Sequence, residues 1–359
     1  MQPPRNADPD RVAALLALVD GTLAAHLGTE RGAAVAAELR ERAAGFGDHL
    51  LGGVNPARED ASPAWDAARA AAYAPTEGTG AVHLELGTFT AFPAARVEEL
   101  VAGDGLSEFI RLDADPQYPC DVVADATAMP FGSATIDRVA SNSVLEHIAY
   151  PHEVLRETHR VLRPGGVMVV VMPFVWHQHG YPNDYVRLTP GFFERVCPEV
   201  GFTDVQVDVD TSGGLYNVLH NAAKMAGVQD GRPETAAMRE LHELVITLLG
   251  TLIPLDRHFT EGGRYWFHSV RVLARKPGSF VPQGRRREAG RPFADRALDL
   301  LADPETRTPL RREGSRLVAP LTGTAYEVAR DGAVNFLEPR VARPPAGSRV
   351  RAAARRVLR

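Results

Sequence analysis

Residues Asp121–Val171 read DVVADATAMPFGSATIDRVASNSVLEHIAYPHEVLRETHRVLRPGGVMVVV, and this stretch decides the fold class. Two short β-branched runs bracket an amphipathic helix. Val154, Leu155, Thr158, Val161 and Leu162 share one helical face, while Glu153, Arg156, Glu157 and Arg160 take the other. Arg163-Pro164-Gly165-Gly166 is expected to stop that helix. Proline cannot continue the ladder, and glycine accepts the left-handed conformation that closes a helix C-terminus. Val167 to Val171 are then apolar at every position, as suits a parallel strand covered on both faces. The unit is strand, helix, strand.

The same alternation extends in both directions. Ala81 to Gly87 is a predicted strand running into a turn, Ala95 to Leu100 a helix, Phe109 to Asp113 a second strand, Val122 to Asp125 a third and Ile136 to Ala140 a fourth. Strands and helices alternating at these intervals imply an α/β fold with a Rossmann-like, doubly wound, mostly parallel sheet. Thr189-Pro190 reads as a helix start, with Phe192, Phe193 and Val196 on the helix that follows. Val205 to Val209 and Trp266 to Leu273 are closing strands, and Leu215 to Asp256 is a helical insertion. Before the sheet, Val12, Leu15, Leu16 and Val19 repeat at helical spacing behind an Asp8-Pro9-Asp10 cap, with further helices expected over Ala33 to Ala44 and Trp65 to Tyr73. The expected organisation is a helical N-terminal cap over 1–80, the sheet domain over 81–277, a linker over 278–299, a small β-rich module over 300–339 and a basic tail over 340–359.

Composition limits the function classes. The chain has 359 residues, 45% of them hydrophobic, and a formal net charge of −5, so no global basic field argues for nucleic acid. Cys120 and Cys197 are the only cysteines, which excludes a disulfide framework and a cysteine-built zinc site. MQPPRNADPD lacks the basic and apolar regions of a signal peptide, and the longest apolar run, Leu244 to Leu255, is broken by Thr247, Gly250, Thr251 and Pro254. A cytoplasmic location without membrane association is expected.

Taken together, HLELG, the acid in RLDAD, ADATAMPF, IDRVASNSVLEHI and RVLRPGGVMVVVMPF resemble the successive motifs of class I S-adenosylmethionine-dependent methyltransferases of the type 11 kind. The resemblance covers about Ala81 to Lys276. It implies S-adenosylmethionine as cofactor and a site beyond the carboxyl ends of the strands, where strand order reverses. On that basis Glu85, Gly87 and Thr88 are expected near the methionine portion, with Asp113 on the ribose hydroxyls. Asp125 and Ala126 correspond to the pair that meets the adenine, and Ser141 and Asn142 to the segment beneath the methionine. One departure stands out. Where the family reads acid-x-Gly-x-Gly-x-Gly, this chain has Glu85-Leu86-Gly87-Thr88-Phe89-Thr90-Ala91 and keeps only the first glycine. A missing Cβ lets backbone approach a ligand closely, so Phe89 either obstructs the cofactor or marks a differently shaped loop. A non-catalytic binding or scaffolding protein is the alternative this motivates.

Pro173 to Pro190 resembles a subgroup of these enzymes carrying Pro-Phe, then His, then a Pro-x-Asp-Tyr-x-Arg-x-Thr pattern. Methyl transfer to oxygen requires removal of a proton, and histidine titrates near neutrality unaided. His179, His177 and His147 are the candidate bases, Asp184 an orienting or participating acid, and Tyr185 and Arg187 candidate substrate contacts. Asp184, Arg187 and Thr189 read equally as a hydrogen-bonded brace. No metal is expected. The acceptor implied is a hydroxyl of a small molecule or glycoside, and less readily an amine. The insertion serves as pocket roof, homodimer surface or core. Leu300 to Pro339 resembles the zinc-ribbon-like module of the Trm112 family, with Asp303, Thr306, Ala319 and Thr322 at or beside the cysteine positions, so that zinc cannot be held. That module prompts a third reading, a modifier of RNA or protein.

Overall fold

The apolar runs become strands β1 (Val82–Leu86), β2 (Glu108–Asp113), β3 (Val122–Val123), β4 (Ile136–Asn142), β5 (Leu162–Pro173), β6 (Thr203–Val209) and β7 (Ser269–Arg275). The C-terminal part adds β8 (Arg311–Glu313), β9 (Arg316–Val318), β10 (Thr324–Glu327), β11 (Val334–Asn335) and β12 (Arg340–Val341). This computed structural model describes residues 17, 20–25, 27–46, 80–87, 107–180, 183–209, 214–229, 236–252, 266–281 and 290–341. One sheet has eight strands in the order β11-β3-β2-β1-β4-β5-β7-β6, and a second has four in the order β12-β10-β9-β8. The β3-β2-β1-β4-β5 pairings are all parallel, whereas the small sheet is antiparallel. The expected mostly parallel, Rossmann-like sheet is therefore the architecture observed.

The described helices are α1 (Thr29–Phe46), α2 (Pro151–Val161), α3 (Pro190–Val200), α4 (Leu215–Gln229), α5 (Ala236–Leu252) and the short α6 (Phe293–Arg296). The chain divides into two compact units. The first comprises Met1–Ala64, Pro173–Tyr181 and Asp208–Val270; within it α5 packs on both α1 and α4. The second comprises Trp65–Met172, Pro182–Val207 and Arg271–Arg359 and contains most of both sheets. Among the described residues, no helix is long and apolar enough to cross a membrane.

Helix α2 buries Val154, Leu155, Thr158 and Val161, the stripe its sequence predicts, and proline at its first turn supplies a preset φ. Its end differs from expectation. The helix stops at Val161, and Leu162 takes an extended conformation rather than a glycine closing the turn. Lys276 Nζ instead caps the helix by donating to the carbonyls of His159 and Leu162, each at 2.7 Å. Arg163-Pro164-Gly165-Gly166 belongs to β5, whose register against β4 shifts between Ile136 and Arg138. Gly165, at φ +77, is required there because a Cβ would lie 2.3 Å from the Phe280 nitrogen. The closing strand also starts later than expected, at Ser269; Phe267, before it, packs its ring on Phe174 at 4.6 Å.

The C-terminal part is built into the second unit. β11 extends the main sheet by pairing parallel with β3, with Val334 N donating to Asp121 O (3.0 Å) and Phe336 N to Val123 O (2.8 Å). Arg307 donates to Met129 O and to Glu157 at 3.1 Å each, and Arg296 reaches buried Glu108 at 2.8 Å. Of the stretch expected as a linker, residues 282–289 lie outside the described residues, whereas Phe293 and Ala294 of α6 are buried. Asp303 is 1% exposed. It accepts hydrogen bonds from Thr306 N (2.9 Å), the Thr306 hydroxyl (2.5 Å) and the Tyr326 hydroxyl. A carboxylate with three donors thus ties Thr306 and Tyr326 together at this corner.

Candidate active site

Chain order runs outward from β1 through β2 to β3, then jumps back to β4 on the other side of β1. The crevice at such a reversal is the general ligand position of open α/β sheets. Leu86 pairs with Ser141 across β1 and β4, and the next residue, Gly87, adopts φ +77. A Cβ on Gly87 would lie 2.4 Å from Val144 Cγ2, so glycine is demanded by contact between the two strand exits themselves. Ser141 is 3% exposed, and its hydroxyl has no hydrogen-bond partner among the described residues.

The candidate cofactor residues fall along this edge. Glu85 pairs with Arg111 across β1 and β2, with side chains 3.7 Å apart. Asp113 ends β2 and accepts from Asp115 N at 2.9 Å, and its carbonyl receives Ala124 N. Asp125 caps the one-turn 3-10 helix Ala126–Ala128, one carboxylate oxygen accepting from both the nitrogen and the hydroxyl of Thr127 at 2.7 Å. Ala126 is buried, and Asn142 is exposed at the end of β4. Thr88, with the loop to Ala91 on which the missing glycines bear, lies outside the described residues. Cys120 sits near Asp113; burial, reinforced by the charges of Asp113 and Asp121, pushes its thiol up to about 11 and keeps it un-ionised at neutral pH.

Beyond β4 the chain makes a single 3-10 turn, Leu145–His147, and the segment after Pro182 folds around it. Glu146 is fully buried. Its carbonyl accepts from Tyr185 N at 2.7 Å and from Val186 N at 3.3 Å. His147 Nδ1 lies 2.6 Å from Asn183 O. A carbonyl only accepts, so Nδ1 carries the hydrogen and Nε2 is the atom that takes up or gives a proton. Nε2 faces the Glu146 carboxyl at 3.7 Å. Asp184 and Arg187 form a two-pronged ion pair, the second contact at 2.7 Å, and the Asp184 side chain is only 4% exposed. Hydrogen bonding to Asp184 holds Arg187 above its usual range. Burial pushes Glu146 up to about 7, with Asp184 adding to the shift and a backbone hydrogen bond and Arg187 opposing it.

Residues 78–170 match the family model of a methyltransferase domain.

The matched region contains β1 to β4, α2 and the 146–147 turn, though it is a minority of the chain. An uncharacterized methyltransferase of Mycolicibacterium gilvum is 39% identical over 64 residues, 16% of this chain and 25% of that protein. The biotin biosynthesis bifunctional protein BioHC of Cellvibrio japonicus is 36% identical over 83 residues, 22% of this chain and 16% of that protein. The chain thus spans a quarter or less of the length of these curated relatives. Among solved structures, phosphoethanolamine N-methyltransferase 2 of Haemonchus contortus with S-adenosyl-L-methionine overlaps at TM-score 0.37 and 16% identity, over 57% of this chain and 50% of that one. That overlap is too loose to bear on function.

The structure brings Glu85, Gly87, Asp113, Asp125, Ala126, Ser141 and Asn142 to the strand ends of the second unit, and His147, Asp184, Tyr185 and Arg187 to the turn beyond β4. His177 and His179 belong to the first unit, where His179 Nδ1 lies 3.1 Å from His177 O and the two rings are 5.5 Å apart. Sequence reasoning missed Glu146. The available signal was an acid between Leu145 and His147 immediately after a buried strand, a position where an ordinary surface carboxylate has no water to face.

Proposed function

We propose that the chain is an S-adenosylmethionine-dependent methyltransferase acting on a hydroxyl of a small molecule or glycoside. The observation that carries this reading is the coincidence of the matched region with the β1/β4 strand-order reversal, edged by Gly87, Asp113, Asp125 and a buried Ser141 hydroxyl. The residue set fits the cofactor. Asp113 would hold the ribose hydroxyls, Asp125 and Ala126 the adenine, and Glu85, Gly87 and Ser141 the methionine portion. A carboxylate offers about four lone-pair directions, so one oxygen of Asp125 engaged with Thr127 leaves capacity for a ligand. When bound, the cofactor supplies an electrophilic methyl whose carbon–sulfur bond breaks with its electron pair returning to sulfur.

The protein's own part is orientation and proton handling. His147 is the base this geometry supports best, because Nδ1 is committed to Asn183 and Nε2 is the proton-accepting atom. His179 and His177 remain candidates within the first unit. Asp184 and Arg187 are assigned to bracing the loop, since each already satisfies the other, and exposed Tyr185 to acceptor contact. On the Trm112-like reading, the C-terminal module serves as an intramolecular cover for the β3 edge, a role supported by β11. The test is transfer of an isotopically labelled methyl group from S-adenosylmethionine to a panel of hydroxylated, glycosylated and amine acceptors. Label on a hydroxylated or glycosylated acceptor is expected; label confined to amines contradicts the acceptor class.

A further inference from the structure

We propose that Glu146 is the positioning residue for His147, its carboxyl facing Nε2 closely enough that the charge of each group governs the protonation of the other, while its backbone fixes the loop that supports the imidazole. This deepens the methyltransferase reading and rests on it for its catalytic meaning. Four contacts define the arrangement. The Glu146 carbonyl takes two backbone hydrogens, from Tyr185 and Val186; Asn183, two residues earlier, takes the imidazole hydrogen at Nδ1; and the Glu146 carboxyl lies 3.7 Å from Nε2. One side chain and one carbonyl of the same residue therefore set both the ring's tautomer partner and the environment of its proton-accepting atom.

Within the second unit, the charged groups around the carboxyl are His147 on its own turn and the Asp184–Arg187 pair on the wrapped loop. Helix α2, packed against the same turn, carries His152, Glu153 and Arg156, which engage one another: His152 Nε2 and Arg156 both contact the Glu153 carboxylate, at 3.3 and 2.5 Å. Loss of water, with Asp184 adding to it, outweighs the backbone hydrogen bond and Arg187, which makes the neutral form of Glu146 accessible near pH 7. The proton balance is simple. A hydroxyl proton taken by Nε2 while both groups are deprotonated makes an imidazolium, and the Glu146 carboxylate 3.7 Å away stabilises that cation. The proton leaves to solvent when His147 returns to neutrality.

The experiment is a pH titration of the full chain with histidine labelled at Cε1, followed by NMR, with His147→Asn to assign the resonance. In the wild type the His147 resonance is expected to move in two steps, as for groups coupled by about one pH unit or more. In Glu146→Gln a single step is expected, displaced to lower pH by on the order of one unit. Superimposable wild-type and Gln curves, or a single step in the wild type, overturn the proposal. If the Gln variant does not fold, Glu146→Asp retracts the carboxyl by one methylene and is expected to give a smaller displacement in the same direction; an unchanged Asp curve also overturns it. S-adenosylhomocysteine is titrated calorimetrically into the wild type in parallel. No heat alongside two-step curves sinks the methyltransferase reading and leaves the coupling standing. Heat alongside uncoupled curves does the reverse.

Discussion

Two buried carboxylates in the second unit have opposite fates. Glu146, beyond β4, is pushed up to about 7 by burial; Asp303, in the small β-rich module, is held below the usual carboxylate range. Burial opposes ionisation at both. At Asp303 the hydrogen bonds from Thr306 and Tyr326 outweigh it, and the same interaction, after burial, raises the Tyr326 hydroxyl. Around Glu146 the charged neighbours Asp184 and Arg187 are already spent on each other. The difference separates two uses of a buried acid: one ties a structure together as a fixed anion, the other keeps its proton near neutrality, as acid–base chemistry requires.

The largest effect is expected from breaking the structural member. Asp303→Ala leaves the Tyr326 hydroxyl and the Thr306 donors without their acceptor and should cost about 3 kcal/mol in urea unfolding at pH 7. A cost below about 0.5 kcal/mol would mean that the network does not hold the module. Because the folded value of Asp303 is depressed, its contribution is present above the unfolded value of 3.8 and fades as pH falls through the folded one.

The next effect has the opposite sign of pH dependence. Glu146 titrates near 7 when folded, against 4.5 as reference, so between these values the folded state holds a proton that the unfolded state has lost. Its contribution to stability therefore falls as pH rises through that window. Glu146→Gln removes the penalty and should gain on the order of 2 kcal/mol at pH 8 relative to wild type, with no comparable gain at pH 4.5. A difference independent of pH would remove the distinction between the two acids. The smallest effect concerns metal. With Cys120 and Cys197 the only cysteines of the sequence, residues 300–339 offer no thiolate to a metal, and neither zinc nor a chelator should move the melting temperature. Stabilisation by zinc would show that the module is held differently.

Much of the sheet was legible because Leu84, Leu86, Ile110, Leu112 and the Val167–Val170 run are buried in the pattern their spacing predicts. β11 was not legible: two residues long, it acquires its place from Asp121 and Val123, some two hundred positions away, and no local periodicity encodes that pairing. Gly165 was read as a helix stop because Pro-Gly-Gly serves both ends and bulges, and only the approach of Phe280 tells them apart. In the candidate site, Asp113 and Asp125 could be named from motif register, yet the partners they already hold, Asp115 and Thr127, are local turns that any such acid adopts. Glu146 escaped because its significance lies in burial by a loop some forty residues on, through Tyr185 and Val186.

The central claim is that the β1/β4 reversal binds S-adenosylmethionine. Calorimetric titration of the full chain with S-adenosylhomocysteine, repeated on Asp113→Ala, tests it most directly. The expected result is one site per chain in the wild type, and affinity reduced at least about tenfold in the variant, the loss of one or two charge-assisted hydrogen bonds. Folded wild-type protein that gives no heat, or an Asp113→Ala variant that binds equally well, would contradict it.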